Sequence, residues 1–143
     1  MTVALILALK GHDVTTIQPH RTLQEVTALL ADKGIGAAIV VDGAGQVLGI
    51  LSERDVVRAI GRHGDKVLND AVSKHMTSKV ITTDPNDPVD HVMEMMTSGR
   101  FRHMPVMDGG RLVGVVSIGD VVKHRLELIE SEHRALRDYI ATA

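Results

Sequence analysis

Two serine–aspartate pairs are the residues of this chain whose types and spacing point most directly to chemistry. Ser52 precedes Asp55 by three residues, and Ser117 precedes Asp120 by the same interval, each after an apolar run. A hydroxyl and an acid at that spacing form a capping box at the start of a helix. The same place presents backbone amides and the positive end of the helix dipole, which favour phosphate, while a carboxylate suits a ribose diol. Capping and ligand binding both stay open, and one side chain can serve both.

Other patterns that could support catalysis are absent from the sequence. The eight histidines include no His-Glu-x-x-His motif and no pair four residues apart, so a metal site is not predicted. Gly114 lies three residues before Ser117 instead of two, which argues against a hydrolase nucleophile elbow. The glycines at 43, 45 and 49 miss the dinucleotide spacing, and there is no cysteine nucleophile. We predict that the chain is not an enzyme and has no catalytic cofactor.

The serine–aspartate pairs belong to a longer internal repeat. The segment 49–57 returns as 114–122, and similar openings begin at Val14 and at Val80. The offset is 66 residues before the hairpin turns and 65 after them, because the second turn is one residue shorter. We therefore expect function at paired, pseudo-symmetric positions.

Each copy predicts the element order β-α-β-β-α, so the fold class is α/β (α+β) with tandem repeats. The predicted strands are Val14–Ile17, Ala37–Val41 and Val47–Leu51 in the first copy and Val80–Thr83, His103–Met107 and Leu112–Val116 in the second. Helices are predicted to begin at Ser52 and Ser117, and Thr22 and Asp87 are the predicted N-caps of the first helix of each copy.

The repeats divide the chain into residues 8–62, a linker 63–77 with a short helix over 67–76, and residues 78–137. Each copy is small for independent stability, so we expect the two copies to share a core. The last helix carries a seam with 4-3-4-3-4 spacing that extends past the repeat. This seam could pack on its own domain or contact a second subunit. Its residues are Val122, Leu126, Ile129, His133, Leu136 and Ile140.

Composition excludes several classes of partner. The net charge of −2, the pI near 6.4 and the near absence of aromatic residues argue against nucleic-acid binding. No stretch approaches the ~20 apolar residues of a membrane span. The apolar start, Met1–Leu9, resembles a signal core, but it lacks a basic beginning and is interrupted by Lys10. We expect a soluble, cytoplasmic protein.

The doubled Ser-x-x-Asp motifs, the Val-x-Thr openings and the segment 102–108 (Arg-His-Met-Pro-Val-Met-Asp) resemble a pair of cystathionine-β-synthase (CBS) domains. The resemblance covers residues 8–137. It implies a regulatory homodimer that binds adenine nucleotides, AMP, ATP or an NAD-type ligand, in clefts between the repeats and signals to a separate target protein. The alternative is a ligand-free structural or interaction module in which both motifs only cap helices.

The resemblance also implies roles for individual residues. Asp55 and Asp120 would hold ribose hydroxyls, and the two serines would meet phosphate or ribose. Arg54, Arg102 and His103 would reach phosphate, and the adenine would bond the backbone near residues 14–16 and 80–82. The implied ligand-binding set is Val14, Thr16, Ala38, Ser52, Arg54, Asp55, Val80, Thr82, Arg102, His103, Met104, Pro105, Ser117 and Asp120.

The two copies differ in their cations. Arg102-His103 in the second copy corresponds to Gly36-Ala37 in the first, and Arg54 in the first corresponds to Gly119 in the second. We therefore predict two unequal sites, although each cleft could borrow a cation from the other repeat. Because the first copy lacks this basic pair, we predict that a ligand fills its cleft less readily than the cleft of the second copy.

Overall fold

A computed structural model describes residues 1–142, which form two similar α/β halves. In chain order the elements are α1 (Val3–Lys10), β1 (Thr16–Ile17), α2 (Leu23–Lys33), β2 (Ala37–Val41), β3 (Val47–Ser52), α3 (Glu53–His63), two 3₁₀ turns (Asp65–Asn69 and Val72–Lys74), α4 (Val89–Gly99), β4 (His103–Asp108), β5 (Arg111–Ser117) and α5 (Ile118–Thr142). The predicted fold class is confirmed, and the β-α-β-β-α order is complete in the first half.

The two sheets differ at the strand that opens each repeat. In the first half β1 is parallel to β2, and β2 is antiparallel to β3. In the second half β4 and β5 form an antiparallel pair. The predicted strand Val80–Thr83 is wrong, since in the described chain this segment contributes one parallel bridge, from Thr83 to Val106. The Val80 amide donates to the Ser78 carbonyl at 3.1 Å in a tight turn. This amide is therefore not available to pair with a neighbouring strand.

The described residues build two apolar clusters instead of the shared core that we expected. The first contains the inner faces of β2, β3, α2 and α3 together with Val67 and Val72 of the linker. The second contains the inner faces of β4, β5 and α4 together with α1. A separate core is possible for each repeat because the linker and α1 supply the apolar surface that a ~60-residue unit lacks.

The linker between the repeats does not form the helix predicted over residues 67–76. It makes two 3₁₀ turns separated by extended backbone at Asp70 and Ala71. The Leu23 amide donates to the Asp70 carbonyl at 3.0 Å, and the Val72 amide donates to the Arg21 carbonyl at 2.7 Å. Pairing with the start of α2 occupies backbone groups that a continuous helix would need for itself.

Helix α1 was not predicted, and it docks on the second half of the molecule. Val3, Ile6 and Leu7 are buried at helical spacing on one face. The Val3 amide donates to the Asp87 carbonyl at 3.0 Å. Gly114 admits Leu7, because a Cβ at that glycine would lie 2.7 Å from the Leu7 Cδ2 atom. This packing fixes Lys10, the last residue of α1.

One predicted N-cap is confirmed and one is wrong. Thr22 forms a capping box with Glu25 at the start of α2. Pro88, not Asp87, is the cap residue of α4, and within the described chain its side chain makes no capping bond. The Asp87 carboxylate instead accepts hydrogen bonds from the Thr83 hydroxyl at 2.7 Å and the Asp84 amide at 2.9 Å. That turn shapes the chain immediately before α4.

The terminal helix α5 is long and largely exposed. Val121 and His124 are buried against the second half, whereas the apolar residues of the predicted seam are between 44% and 64% exposed. Those residues are Val122, Leu126, Ile129, Leu136 and Ile140. Across residues 1–142, no helix combines the length and apolar character that spanning a bilayer requires.

Candidate functional site

Both serine–aspartate pairs form reciprocal caps where a strand passes into a helix. The Ser52 amide donates to Asp55 Oδ2 at 2.8 Å, and the Asp55 amide donates to Ser52 Oγ at 3.4 Å. The equivalent distances for Ser117 and Asp120 are 2.9 and 3.1 Å. The capping role is therefore confirmed in both repeats. It places the hydroxyl and carboxylate at the first turn of α3 and α5, where the dipole favours an anion.

A cleft of about 380 Å³ lies beside the first of these junctions, and we call it the first cleft. Its walls come from the β3–α3 junction of the first repeat and from residues 77–81 and 99–103 of the second. The lining residues are Ile50, Ser52, Glu53, Arg54, Asp55, Arg58, Thr77, Lys79, Val80, Ile81, Gly99, Arg100, Phe101, Arg102 and His103. Six members of the predicted set meet here: Ser52, Arg54, Asp55, Val80, Arg102 and His103.

The first cleft is strongly basic. Arginine or lysine occurs at five of its lining positions, against the two carboxylates of Glu53 and Asp55. Sequence reasoning missed three of these cations, namely Arg58, Lys79 and Arg100. Arg58 could have been found from the sequence, because it follows Arg54 by one helical turn. Arg100 ends α4 in the left-handed conformation, with φ of 56°, which is uncommon for a residue other than glycine.

One wall of the first cleft can hold a flat apolar group. Ile50, Val80, Ile81 and Phe101 contribute aliphatic and aromatic surface. In the part of the chain that the structure describes, the Ile81 amide and carbonyl make no hydrogen bond to another backbone group. This follows from the loss of the predicted strand. A hydrogen-bonding edge of a heterocycle can therefore pair with backbone at this wall.

His103 lies between the two repeats. A Cβ at Gly36 would be 3.2 Å from its Cε1 atom, so the glycine of the first repeat makes room for the imidazole of the second. Burial lowers the pKa of His103, and the negative charge of Glu53 opposes this effect only partly. Lys10 and Arg102 lower the pKa further, while Asp120 raises it. The low pKa favours the neutral imidazole at pH 7.

The repeat offset defines the positions equivalent to the first cleft, which we call the second cleft. They are Gly11, Asp13, Val14, Thr15, Lys33, Gly34, Ile35, Gly36, Ala37, Val115, Ser117, Ile118, Gly119, Asp120 and Lys123. Glycine stands at all three positions equivalent to Arg54, Arg100 and Arg102, and Asp13 replaces Lys79. Two lysines and two aspartates remain, so these positions carry balanced charge.

Lys10 enters the second cleft from the end of α1. Its Nζ donates to Asp120 Oδ2 at 2.6 Å and to the Val115 carbonyl at 2.9 Å. Burial alone would raise the pKa of Asp120, but the Lys10 hydrogen bond, the Ser117 amide and the charge of Lys10 outweigh burial and hold the pKa below its usual value. The carboxylate that the resemblance assigned to a ribose therefore carries an internal partner.

Several predicted contacts lie elsewhere. Ala38, Met104 and Pro105 are buried in β2 and β4, and the first two belong to the apolar clusters, so their side chains do not line the first cleft. Thr16 lines a separate groove beside α2, and Thr82 does not line the first cleft. The missing basic pair does not leave the first cleft without cations, in keeping with the alternative that a cleft borrows them from the other repeat. Arg102 and His103 cross over from the second repeat, because the cleft is built between repeats.

Among residues 1–142, no group of three or more histidine, aspartate or glutamate side chains is arranged to hold a metal ion. The geometry instead offers a carboxylate at a helix start, several cations and an apolar wall. Such a set can bind an anionic ligand through hydrogen bonds and charge.

The comparisons with known proteins agree with the repeat. The CBS domain family model matches residues 9–62 and 71–127. The CBS-domain containing protein ATU1752 from Agrobacterium tumefaciens is similar in structure, with a TM-score of 0.86 and 46% identity over 87% of this chain and 99% of that chain. The CBS domain-containing protein YhcV of Bacillus subtilis is 30% identical over 79% of each chain.

A third relative carries a ligand. The CBS domain protein PAE2072 from Pyrobaculum aerophilum, complexed with AMP, has a TM-score of 0.79 and 28% identity over 91% of this chain and 97% of that chain. The resemblance inferred from the sequence motifs is thus confirmed by a family match in both repeats and by the fold. The chain belongs to the CBS-domain family as a tandem pair.

Proposed function

We propose that the first cleft binds an adenine nucleotide and that the chain is a non-catalytic sensor of this ligand. The observation that carries the proposal is the convergence of Asp55, a helix start and five cations in one cleft between the repeats. The AMP complex of PAE2072 supports an adenine nucleotide as the ligand class. The resemblance to CBS pairs implies a ligand between the repeats, so binding would respond to how the repeats pack.

Each part of the ligand has a partner of suitable chemistry. The Asp55 carboxylate accepts ribose hydroxyls through Oδ1, which lies 3.7 Å from Arg58 Nη1, because Oδ2 already accepts the Ser52 amide and hydroxyl. Arg54 and Arg102 donate to phosphate oxygens, for which charge-assisted bonds are strong. The adenine lies against Val80 and bonds the Ile81 backbone.

The charge of the first cleft favours a ligand with more than one phosphate. The five cations of the first cleft outnumber its two carboxylates, which leaves three positive charges in excess. A single phosphate monoester carries a charge of about −1.5 to −2 near neutral pH and would not balance this excess. ATP, with its three phosphates, would neutralise the cleft more fully than AMP or an NAD-type dinucleotide, whose pyrophosphate carries only about two negative charges. We therefore propose ATP as the preferred ligand within the predicted group of AMP, ATP and NAD.

We propose that α5 transmits the effect of ligand binding to whatever protein contacts this helix. The exposed apolar seam of this helix supports a homodimer, in which each copy covers the seam of the other, or contact with a separate target. A ligand can shift such an assembly only if it binds the two arrangements with different affinity. The cytoplasmic location stays a prediction, which imaging of a tagged chain would test.

Thermal denaturation with a panel of AMP, ATP, NAD and S-adenosylmethionine tests the binding proposal. A ligand at 100 times its Kd stabilises the folded chain by about 2.7 kcal/mol, which raises Tm by several degrees. Asp55→Ala should remove this shift. Glu25→Ala is the matched control, because it breaks the capping box of α2, outside the cleft, at a similar cost of about 1 kcal/mol.

The alternative is a ligand-free structural module in which both motifs only cap helices. It predicts that no compound of the panel changes Tm and that Asp55→Ala and Glu25→Ala behave alike. A ligand shift that survives in Glu25→Ala and disappears in Asp55→Ala would exclude this alternative.

A further inference from the structure

We infer that Lys10 is a built-in occupant of the second cleft, which confines ligand binding to the first cleft. This inference rests on the proposed function, since it concerns the paired site of the same kind. The ammonium group of Lys10 lies 2.6 Å from Asp120 Oδ2, at the carboxylate that would otherwise accept a ribose. A nucleotide can take this position only after the lysine has left it.

The serine–aspartate motif does not explain the difference between the clefts. The Ser117–Asp120 cap closes with distances within 0.3 Å of those at Ser52–Asp55, namely 2.9 and 3.1 Å against 2.8 and 3.4 Å. The helix start and the carboxylate are thus equally formed in both repeats. The lysine and the lost arginines distinguish the second cleft from the first.

The repeat supplies a direct comparison for Lys10, because the equivalent residue is Met76. Met76 packs against the first core, and its Sδ would lie 2.6 Å from a Cβ at Gly49. The next residue, Thr77, exchanges two backbone hydrogen bonds with Ile50, at 3.0 and 2.9 Å. This exchange leaves no side chain from this position on Asp55, whose nearest cation is Arg58, with Nη1 at 3.7 Å from Oδ1, against 2.6 Å for Lys10 on Asp120.

In the second repeat the same place is used differently. The Val115 carbonyl, equivalent to that of Ile50, accepts from Lys10 Nζ at 2.9 Å. Beside it, His12 Nδ1 lies 3.0 Å from the Val113 carbonyl. The Lys10 side chain and the segment after it therefore cover this end of β5. In the first repeat the equivalent end of β3 pairs with the backbone of Thr77.

Helix α1 holds Lys10 in place without preventing its release. The helix is anchored by buried Val3, Ile6 and Leu7, so the Cα of Lys10 is fixed. The side chain itself is 33% exposed and has four rotatable carbon–carbon bonds. Rotation of this side chain alone would uncover Asp120 while α1 stays docked. Asp120 is therefore covered by a movable side chain.

The test is calorimetric titration with ATP of the full chain and of Lys10→Met, the substitution that the first repeat itself suggests. We expect one ATP for each wild-type chain and two for Lys10→Met, the second bound about 100-fold or more weakly than the first because its cleft lacks the arginines. Asp55→Ala should bind none, and the double variant Asp55→Ala, Lys10→Met should bind one. Adding Asp120→Ala to this double variant should abolish that remaining site.

Two controls separate the charge of Lys10 from a general effect of the substitution. Lys66→Met removes an exposed lysine in the linker and should keep one site. Lys10→Arg keeps the charge and should also keep one site. Circular dichroism and the melting curve of each variant establish that it is folded.

The outcomes distinguish this inference from the proposed function. One site in both the wild type and Lys10→Met would overturn the role of Lys10 and leave the proposed function standing. No site in the wild type with one in Lys10→Met would support Lys10 as the occupant and refute the first cleft. Fewer sites or weaker binding in Lys10→Met than in the wild type would show that Lys10 binds the ligand, which also overturns the inference.

Discussion

The first and second clefts contain the same capping motif, yet they differ in almost every charge around it. The first gathers five cations, whereas the equivalent positions of the second carry two lysines and two aspartates, and Lys10 from α1 pairs with Asp120. Both arrangements descend from one repeated sequence pattern. The motif therefore determines where a helix starts and where a carboxylate sits. The surrounding residues determine whether that carboxylate is available to a ligand.

The two clefts also differ in the electrostatic repulsion between their charged side chains when no ligand is bound. Like charges repel in the first cleft, so an anion that enters it relieves this repulsion as well as forming hydrogen bonds. In the second cleft Lys10 already supplies the counter-charge. We therefore expect ligand binding and folding stability to be tightly linked through the first cleft.

The largest effect is expected when the first cleft is made to resemble the second. Arg54→Ala with Arg102→Ala removes two charge-assisted contacts to phosphate, each of about 1.5–3 kcal/mol. The affinity for ATP should fall about 100-fold or more, measured by calorimetry. Arg125→Ala is the matched control, because this arginine pairs with Asp90 outside the cleft. A loss of less than threefold in the double variant would remove these arginines from the site.

A smaller effect is expected when the ligand is changed instead of the protein. Because the first cleft carries excess positive charge, ATP should bind about tenfold more tightly than AMP, which corresponds to about 1.4 kcal/mol. The preference should shrink as ionic strength rises, since salt screens exposed charges. It should also shrink in the double variant Arg54→Ala, Arg102→Ala. Equal affinities at low salt would contradict the proposed use of these cations.

A pH effect of several-fold is expected from His103. Burial holds the pKa of this imidazole below its usual value, so the free protein favours the neutral form at pH 7. A phosphate nearby favours the protonated form and raises the pKa, so binding takes up a proton and strengthens as the pH falls from 8 to 6. Titrations of the wild type and of His103→Gln at pH 8 and pH 6 isolate the contribution of His103 to the pH dependence of binding. Parallel pH profiles would show that His103 does not meet the anion.

The smallest effect concerns acid stability in the second cleft. The pKa of Asp120 lies below its usual value, so ionised Asp120 contributes stability above pH ~4 that is lost as the pH falls through the folded-state pKa. Lys10→Met should raise this pKa, observed by carbon-13 NMR of the carboxyl group. The stability difference should be less than about 1 kcal/mol, because the pair is partly exposed. An unchanged pKa would mean that Lys10 does not pair with Asp120 in solution.

Local patterns predicted local structure well. The caps at Thr22, Ser52 and Ser117 were predicted because they depend on hydrogen bonds across three residues. The strand predicted at Val80–Thr83 and the helix predicted over residues 67–76 failed. In both cases backbone pairing, to Ser78 or to the start of α2, competed with the local preference.

The first cleft could be predicted only in part. Its motif residues were found because the repeat doubles them, and the resemblance assigned them a role. Lys79 and Arg100 were missed because they come from the other repeat, 24 and 45 residues along the chain from Asp55. Ala38 and Met104 were included by motif alone, and both are buried in the apolar clusters.

Residue order alone was enough to predict the repeat, the family, the starts of α2, α3 and α5, and the different cations of the two copies. These follow from residue order and from hydrogen bonds between near neighbours. Which cleft receives the cations and which receives Lys10 depends on how the elements pack in three dimensions. Arg102 crosses to the first cleft, and Lys10 meets Asp120 across 110 positions of chain. Such contacts depend on how separate elements pack, and residue spacing alone cannot specify that packing.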